Sequence, residues 1–252
     1  MNKSLIALAC GDSYGSYFEM AGLMGTTFDA KLLPNKPVNV RITDDTKMAN
    51  ILLKHYLKYK KIKPKVLVGE YRHWANLYGA RDGIGIHTSK VLNNQSSDKD
   101  SEGNGALMRN IPYALELIKD GYSFEETVIR MNEESALTHE NKTIFMANRL
   151  ALDLALHGIS VLEKVIHKDI LAKVMLGSTA WVLNTLYIVI QTLKKEFDYL
   201  DGFKYIVAAG GDTDTNCAIY AAIKSYKNDI NKSIDIEEFL TKKIIHELSN
   251  EI

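Results

Sequence analysis

Two short stretches of this chain concentrate oxygen donors. Thr43-Asp44-Asp45-Thr46 stands just ahead of an apolar series at helical spacing, and Gly211-Asp212-Thr213-Asp214-Thr215 stands ahead of another about 170 residues later. Asp and Thr are favoured helix N-caps, and acidic residues suit a helix N-terminus. One Asp explains a cap; each stretch offers two, flanked by hydroxyls. If the stretches converge, four carboxylates share one pocket, and two such charges 4 Å apart repel by about 4 kcal/mol at an effective dielectric near 20. Cations relieve that repulsion, and an all-oxygen donor set suits Mg²⁺, Mn²⁺ or Ca²⁺ rather than zinc. At this point two readings stand, a pair of ordinary helix starts or a hard-metal site.

Two glycine turns accompany the carboxylates. Gly210-Gly211 permits positive φ or a close backbone approach. Gly103-Asn104-Gly105 precedes the helix expected from about Ala106, a position where backbone N–H groups can cradle an anion. Cys10 and Cys217 are too few for a disulfide framework or a thiolate zinc site, and Cys217 reads as a small buried apolar residue. Tyr71, Trp74, Tyr78 and Tyr113 could stack on a base, though at helical spacing they read first as core, as does Trp181. A basic run (Lys54, Lys58, Lys60, Lys61, Lys63 and Lys65) reads first as a solvated helix end, and second as a contact surface for an anionic partner.

The elements that position these residues are helices. Apolar residues recur at helical spacing from Met48 through Ile51, Leu52, Tyr56 and Tyr59, and over about 106–119, 123–135, 143–157, 179–194, 215–226 and 236–249. Ser123 with Glu126, Ser178 or Thr179, and Asp235 are expected caps. Val38 to Ile42 is the one short strand candidate. The 252 residues carry 31 Lys+Arg against 31 Asp+Glu, so no bulk charge points to nucleic acid or a membrane. No apolar run reaches the roughly 18 residues of a membrane span. The run Leu5 to Cys10 is too short for a signal-peptide core and reads as a buried helix. The expectation is one all-α domain over residues 1–252, monomeric and cytoplasmic.

Four stretches carry a family resemblance: Gly11-Asp12-Ser13-Tyr14-Gly15-Ser16-Tyr17-Phe18-Glu19, Arg41-Ile42-Thr43-Asp44-Asp45-Thr46-Lys47-Met48, Gly103-Asn104-Gly105-Ala106-Leu107-Met108-Arg109 and Gly210-Gly211-Asp212-Thr213-Asp214-Thr215. In order and spacing, from about residue 4 to 226, the chain resembles the ADP-ribosylglycohydrolases of the dinitrogenase reductase-activating type. The resemblance implies a compact orthogonal all-α fold with a cleft holding two Mg²⁺ (or Mn²⁺). It implies metal ligands at Thr43, Asp44 and Asp45 on one side and at Asp212, Asp214 and Thr215 on the other. Gly103, Asn104 and Gly105 would line the ADP-ribose site, and His139 would lie near the substrate ribose, against a plainer reading as a core histidine. Glu19 matches an acidic residue on a mobile loop beside the metals, a candidate for gating or proton transfer.

The implied reaction is hydrolysis at the ribose C1″, freeing ADP-ribose from a protein side chain, polymer or nucleobase, with Glu19, Asp45 and Asp212 as catalytic candidates. Two hard cations can orient ribose hydroxyls and acidify a water, while a carboxylate handles the leaving-group proton. A non-catalytic ADP-ribose binder of the same fold is the rival; the six ligand matches argue against it. A phosphoester hydrolase is disfavoured by Gly103-Asn104-Gly105 and Glu19. Two departures from the family pattern, Ile219-Tyr220-Ala221-Ala222-Ile223-Lys224 and the tail from Asn228, are expected to touch packing near the cleft. The tail reads as one amphipathic helix through Ile236, Phe239, Leu240, Ile244 and Leu248.

Overall fold

The computed structural model describes residues 2–95, 100–177 and 179–249. Among them the regular structure is helical, with a single isolated β-bridge between Gly103 and Trp181. The first half holds α1 (Lys3–Gly15), α2 (Glu19–Leu23), α3 (Asp44–Tyr59), α4 (Pro64–Trp74), α5 (Ala80–Asp82), α6 (Ile86–Leu92) and α7 (Leu107–Lys119). The second holds α8 (Phe124–Ser135), α9 (Lys142–His157), α10 (Lys168–Leu171), α11 (Val182–Lys194), α12 (Tyr199–Ala209), α13 (Thr213–Lys224), α14 (Ile236–Phe239) and α15 (Lys242–Ser249).

Helix α1 is apolar on nearly every side, which suits a helix surrounded by others rather than one facing water. It is buried from Ser4 to Gly15 and is started by Asn2, whose side chain accepts from the Leu5 N–H. Its partner α13 is buried from Thr213 to Ile223. The two touch backbone to backbone, because Gly11 and Gly15 present no side chain. A Cβ on Gly11 would stand 2.3 Å from the Cys217 carbonyl oxygen, and one on Gly15 would stand 2.3 Å from that of Thr213. The Thr213 hydroxyl donates to the Gly15 carbonyl at 2.8 Å, fixing the register of the pair. Around it α3 packs on α7, α7 on α8 and α8 on α9, while α11 and α12 close the other flank of α13.

Most helices expected from periodicity form within a few residues of their expected ends. Ser123 and Glu126 make the reciprocal capping box, and Asp235 caps α14 through the Glu237 N–H. Ser178 lies outside the described residues; Thr179 is no cap, since α11 starts at Val182 and the Thr179 hydroxyl donates to Asn184 instead. Val38 to Ile42 forms no strand, having no second strand to pair with; Val38 and Val40 stay exposed and Ile42 is buried. The tail is two helices rather than one. Phe239 and Leu240 are both buried, Leu240 is extended (φ −133°, ψ 134°), and the Thr241 hydroxyl restarts α15 by accepting from the Ile244 N–H.

Tyr220 also corrects an expectation. It packs away from the cleft, with its ring where a Gly202 Cβ would be and its hydroxyl donating to the Asp198 carbonyl at 3.1 Å. The departure from the family pattern there serves the α12–α13 contact.

Two glycine substitutions test the central contact by opposite signs. Gly15→Ala forces a methyl into the α13 backbone and is expected to cost about 3 kcal/mol, lowering Tm by about 6–12 °C. Gly69→Ala lies mid-helix in α4 with no neighbouring atom within 4 Å of its Cβ; it is expected to gain about 0.5–1 kcal/mol. Thermal unfolding of both variants reads the difference.

Candidate functional site

The α1–α13 contact brings the two acidic stretches together. Thr43 precedes α3, but its own side chain caps nothing; the turn is held instead by Asp12, projecting from buried α1. Asp12 accepts from the Thr43 N–H and hydroxyl, each at 2.9 Å, and from the Thr46 hydroxyl and N–H. Asp212 stands at the N-terminus of α13 and likewise makes no capping bond; its Oδ2 accepts from the Asn104 side-chain amide at 2.8 Å. The capping explanation therefore fails at both stretches.

What remains is a carboxylate cluster. Asp45 Oδ2 accepts from the hydroxyls of Thr43 (3.1 Å) and Thr215 (3.3 Å), joining one stretch to the other, while its buried Oδ1 has no partner. Asp214 accepts from the Thr215 N–H at 2.9 Å. Glu19, half-buried at the start of α2, offers an oxygen that lies with one each from Asp212 and Asp214 inside a 4.8 Å cluster. The structure thus holds Glu19 in a helix where the resemblance implied a loop. That helix is fixed by Gly22, whose carbonyl accepts from the Gly211 N–H at 3.0 Å. Gly210 and Gly211 take φ of 76° and 79°, so their expected positive φ serves this approach to α2 and residue 26.

These carboxyls form one face of a cleft of about 370 Å³, whose lining among the described residues contains no Lys or Arg. Burial, followed by repulsion from Asp12 and neighbouring carboxylates, pushes Asp44 and Asp45 well above the ordinary carboxylate range. Burial and then the charges of Asp212 and Asp45 do the same to Asp214, and burial and then Asp212 raise Glu19. Asp12 is pushed up to about 6 by burial, although its hydrogen bonds pull the other way. A crowded set of buried oxygens, one of them orphaned, with hydroxyls alongside and only the Arg41 charge acting on Glu19 from nearby, is chemically suited to hard divalent cations.

The opposite wall is the Gly103-Asn104-Gly105 turn. The Asn104 N–H donates to the Ala180 carbonyl at 2.9 Å, and its side-chain amide reaches the Thr185 hydroxyl as well as Asp212. Beneath the turn lies Arg109, completely buried on α7. Its guanidinium donates to the Gly105 carbonyl (2.7 Å), the Thr138 hydroxyl (2.7 Å) and Glu134 Oε1 (2.8 Å), the last also accepting from the Tyr71 hydroxyl. His139 is buried and lines the cleft, with its ring edge 3.3 Å from where a Gly105 Cβ would be. Burial, then the nearby Arg109 charge and His87, hold its imidazole well below the usual histidine range, so it is neutral at pH 7.

All the expected site residues line this cleft except Thr43, which turns inward to Asp12 and Asp45. Tyr71, Trp74 and Tyr113 are core and Tyr78 opens elsewhere, so none of the four aromatics reaches it. Cys217 is buried and its thiol is pushed far up by burial, as befits a packing residue. Asp12 and Arg109 are the functional supports that no role was read for in the sequence. Each had a signal, an ionised residue inside an apolar helical run.

The sequence profile of the ADP-ribosylglycohydrolase family matches residues 2–225. The chain belongs to the ADP-ribosylglycohydrolase family. A solved structure described as an ADP-ribosylglycohydrolase-related protein complex superposes with a TM-score of 0.75 over 97% of this chain and 93% of that one, at 19% identity, a likeness of fold. No curated protein matches the sequence. The family match ends at Ser225, before the tail that begins at Asn228. Membership points to hydrolase chemistry of the ADP-ribosylglycohydrolase type, and such enzymes typically depend on metal.

The raised carboxyls give the metal-free protein a pH dependence of definite sign. An unfolded Asp titrates near 3.9, and these groups titrate higher when folded, so folding favours their protonated forms. Their stabilising contribution is full below about pH 4 and is lost as pH rises through their raised folded-state values, about 6 for Asp12. In EDTA, the Tm difference between wild type and Asp45→Asn is therefore expected to shift toward the variant from pH 5 to pH 8. Added Mg²⁺ is expected to raise wild-type Tm more at pH 8 than at pH 5.

Proposed function

We propose that the chain, acting as one domain, is a Mg²⁺-dependent ADP-ribosyl hydrolase that cleaves the glycosidic bond between ADP-ribose and a modified acceptor. The observation that carries this reading is the Asn104–Asp212 hydrogen bond. It ties the glycine turn to the acidic cluster, so a ligand on the turn meets the carboxylates at a fixed distance.

Thr43, Asp44 and Asp45 from α3, with Asp212, Asp214 and Thr215 from the start of α13, would hold two Mg²⁺ (or Mn²⁺). Bound there, the cations supply charge neutralisation, ribose orientation and an acidified water. The protein's own contributions follow from the geometry. Asp12 presets the Thr43–Thr46 turn, so that Asp44 and Asp45 face the cleft before any ligand arrives. Gly103, Asn104 and Gly105 bind the ADP-ribose moiety, the turn being stiffened below by Arg109 and flanked by neutral His139. Neutral His139 can donate or accept a single hydrogen bond to a ribose hydroxyl without adding charge.

Glu19 handles the proton. Its raised proton affinity favours the protonated form that a general acid needs in order to pass a proton to the departing acceptor atom. Asp45 and Asp212 act from the two sides of the cluster, Asp212 also fixing the Asn104 amide.

The test is ADP-ribose release from arginine-, serine-, polymer- and nucleobase-linked substrates, with Mg²⁺ and with EDTA. Metal-dependent release from one linkage is expected, with Asp214→Ala reducing kcat/KM more than about a hundredfold and Glu19→Gln lowering kcat about 10²-fold or more. Binding of ADP-ribose with no release from any linkage would overturn the catalytic reading in favour of a binding protein.

A further inference from the structure

A second, larger cavity of about 800 Å³ lies beside the carboxylate cleft and shares two walls with it. The first shared wall is α3. Asp44, Lys47, Ile51, Lys54 and Lys58 recur at spacings of three and four and so occupy one face of the helix. Asp44 lines the cleft and the other four line the groove, a stripe of about 21 Å at the helical rise. The second wall is the chain between α4 and α6, which gives Tyr78 and Arg81 to the groove and Gly83 and Gly85 to the cleft.

The groove is basic in a chain whose formal net charge is zero. Lys47, Lys54, Lys58, Arg81 and Lys243 line it, against Glu70 and Glu247. Its remaining lining is partly apolar, from Ile51, Val66 and Trp74, and Val66 and Tyr78 are 40% and 46% exposed. It already receives a peptide carboxylate and a peptide carbonyl. Lys47 Nζ meets the Glu247 carboxylate of α15 at 2.7 Å, and Lys54 Nζ donates to the Glu247 backbone carbonyl at 3.0 Å. Lys58 and Lys243 also line the groove and lie exposed, while exposed Arg81 is paired with Asp82 at 2.8 Å.

We propose that this groove docks an acidic, partly apolar peptide segment of the acceptor, next to the modified side chain held at the cleft. The proposal rests on the hydrolase reading given above and names the class of acceptor it would serve. A stripe of about 21 Å spans about six extended residues. Cations interleaved with apolar surface suit carboxylate and apolar side chains in alternation. A nucleic-acid strand fits less well, because its phosphates would face Glu70 and Glu247 and its bases would find one exposed aromatic ring in the lining, Tyr78. The basic run noted in the sequence thus divides. Lys54 and Lys58 face the groove, whereas Lys60 pairs with Asp120 on another side of the helix end.

The test separates docking from chemistry. A fluorescein-labelled decapeptide of Glu, Asp and Leu is titrated with the full-length protein by anisotropy, beside a Lys/Leu decapeptide and a dT₁₀ oligonucleotide. The acidic peptide is expected to bind, the basic one not, and the Lys54→Glu/Lys58→Glu variant to bind at least tenfold more weakly while retaining calorimetric ADP-ribose binding. With an ADP-ribosylated acidic peptide as substrate, the same variant is expected to raise KM about tenfold at unchanged kcat, and to hydrolyse an ADP-ribosyl nitrophenyl glycoside like wild type. Equal peptide affinity in wild type and variant, or tighter binding of the oligonucleotide than of the acidic peptide, would overturn the proposal. Failure of wild type to hydrolyse either substrate would instead sink the hydrolase reading, leaving the anisotropy result to decide the groove.

Discussion

The backbone-to-backbone contact of α1 with α13 is the constraint on which the site depends. Gly11 and Gly15 bring Asp12 and the start of α13 to the same depth, and Asp12 then fixes the start of α3 by hydrogen bonds to Thr43 and Thr46. Three chain segments far apart in sequence are aligned through one missing pair of side chains. A methyl at either glycine would separate α1 from α13 and misplace both halves of the carboxylate cluster.

That alignment works against local stability. Clustered buried carboxyls, with no Lys or Arg among the described residues of the cleft lining, raise one another's proton affinity, so without a cation the cluster favours its protonated forms. The surrounding structure holds them there regardless. The Arg109–Glu134 pair carries the opposite logic on the other wall, where a completely buried ion pair with its further hydrogen bonds makes the Gly103–Gly105 turn rigid. Removing one member would leave an uncompensated buried charge, which makes such a pair a stiffener rather than a large net stabiliser. One wall is thus poised for a ligand by unmet charge, the other by charge already met.

Much of this was legible in the residues. Helical periodicity gave the class and most of the long elements, since burial of one face leaves a repeat that survives in sequence. The acidic stretches stood out because each exceeded what a cap requires, and the structure shows that neither Thr43 nor Asp212 caps at all. Less legible were interactions that depend on a partner distant in the chain. Asp12 looks like a flaw in an apolar helix until α3 is set against it, and Arg109 looks like a surface residue until Glu134 and Thr138 surround it. The break at Leu240 was hidden as well. Helical spacing through Phe239, Leu240 and Ile244 reads as one face, but Leu240 is extended and Thr241 starts a new helix, a break that leaves no mark in the apolar spacing.

Two cavities of opposite charge on one helix give the molecule a polarity along α3. On the proposed reading the acidic end would concentrate cations and the ribose hydroxyls they orient, and the basic end would repel those cations and attract carboxylates. A ligand carrying both ADP-ribose and an acidic peptide would be sorted end for end by these fields before close contact. Screening limits that sorting to about 8–10 Å at physiological ionic strength, which is shorter than the stripe of about 21 Å from Asp44 to Lys58. Each field therefore acts on the part of the ligand beside it, and α3 couples them mechanically by holding the two sites at a fixed spacing. Acceptors whose acidic residues lie within about six positions of the modified side chain match that spacing, whereas acceptors with more distant charge gain only whatever the cleft provides.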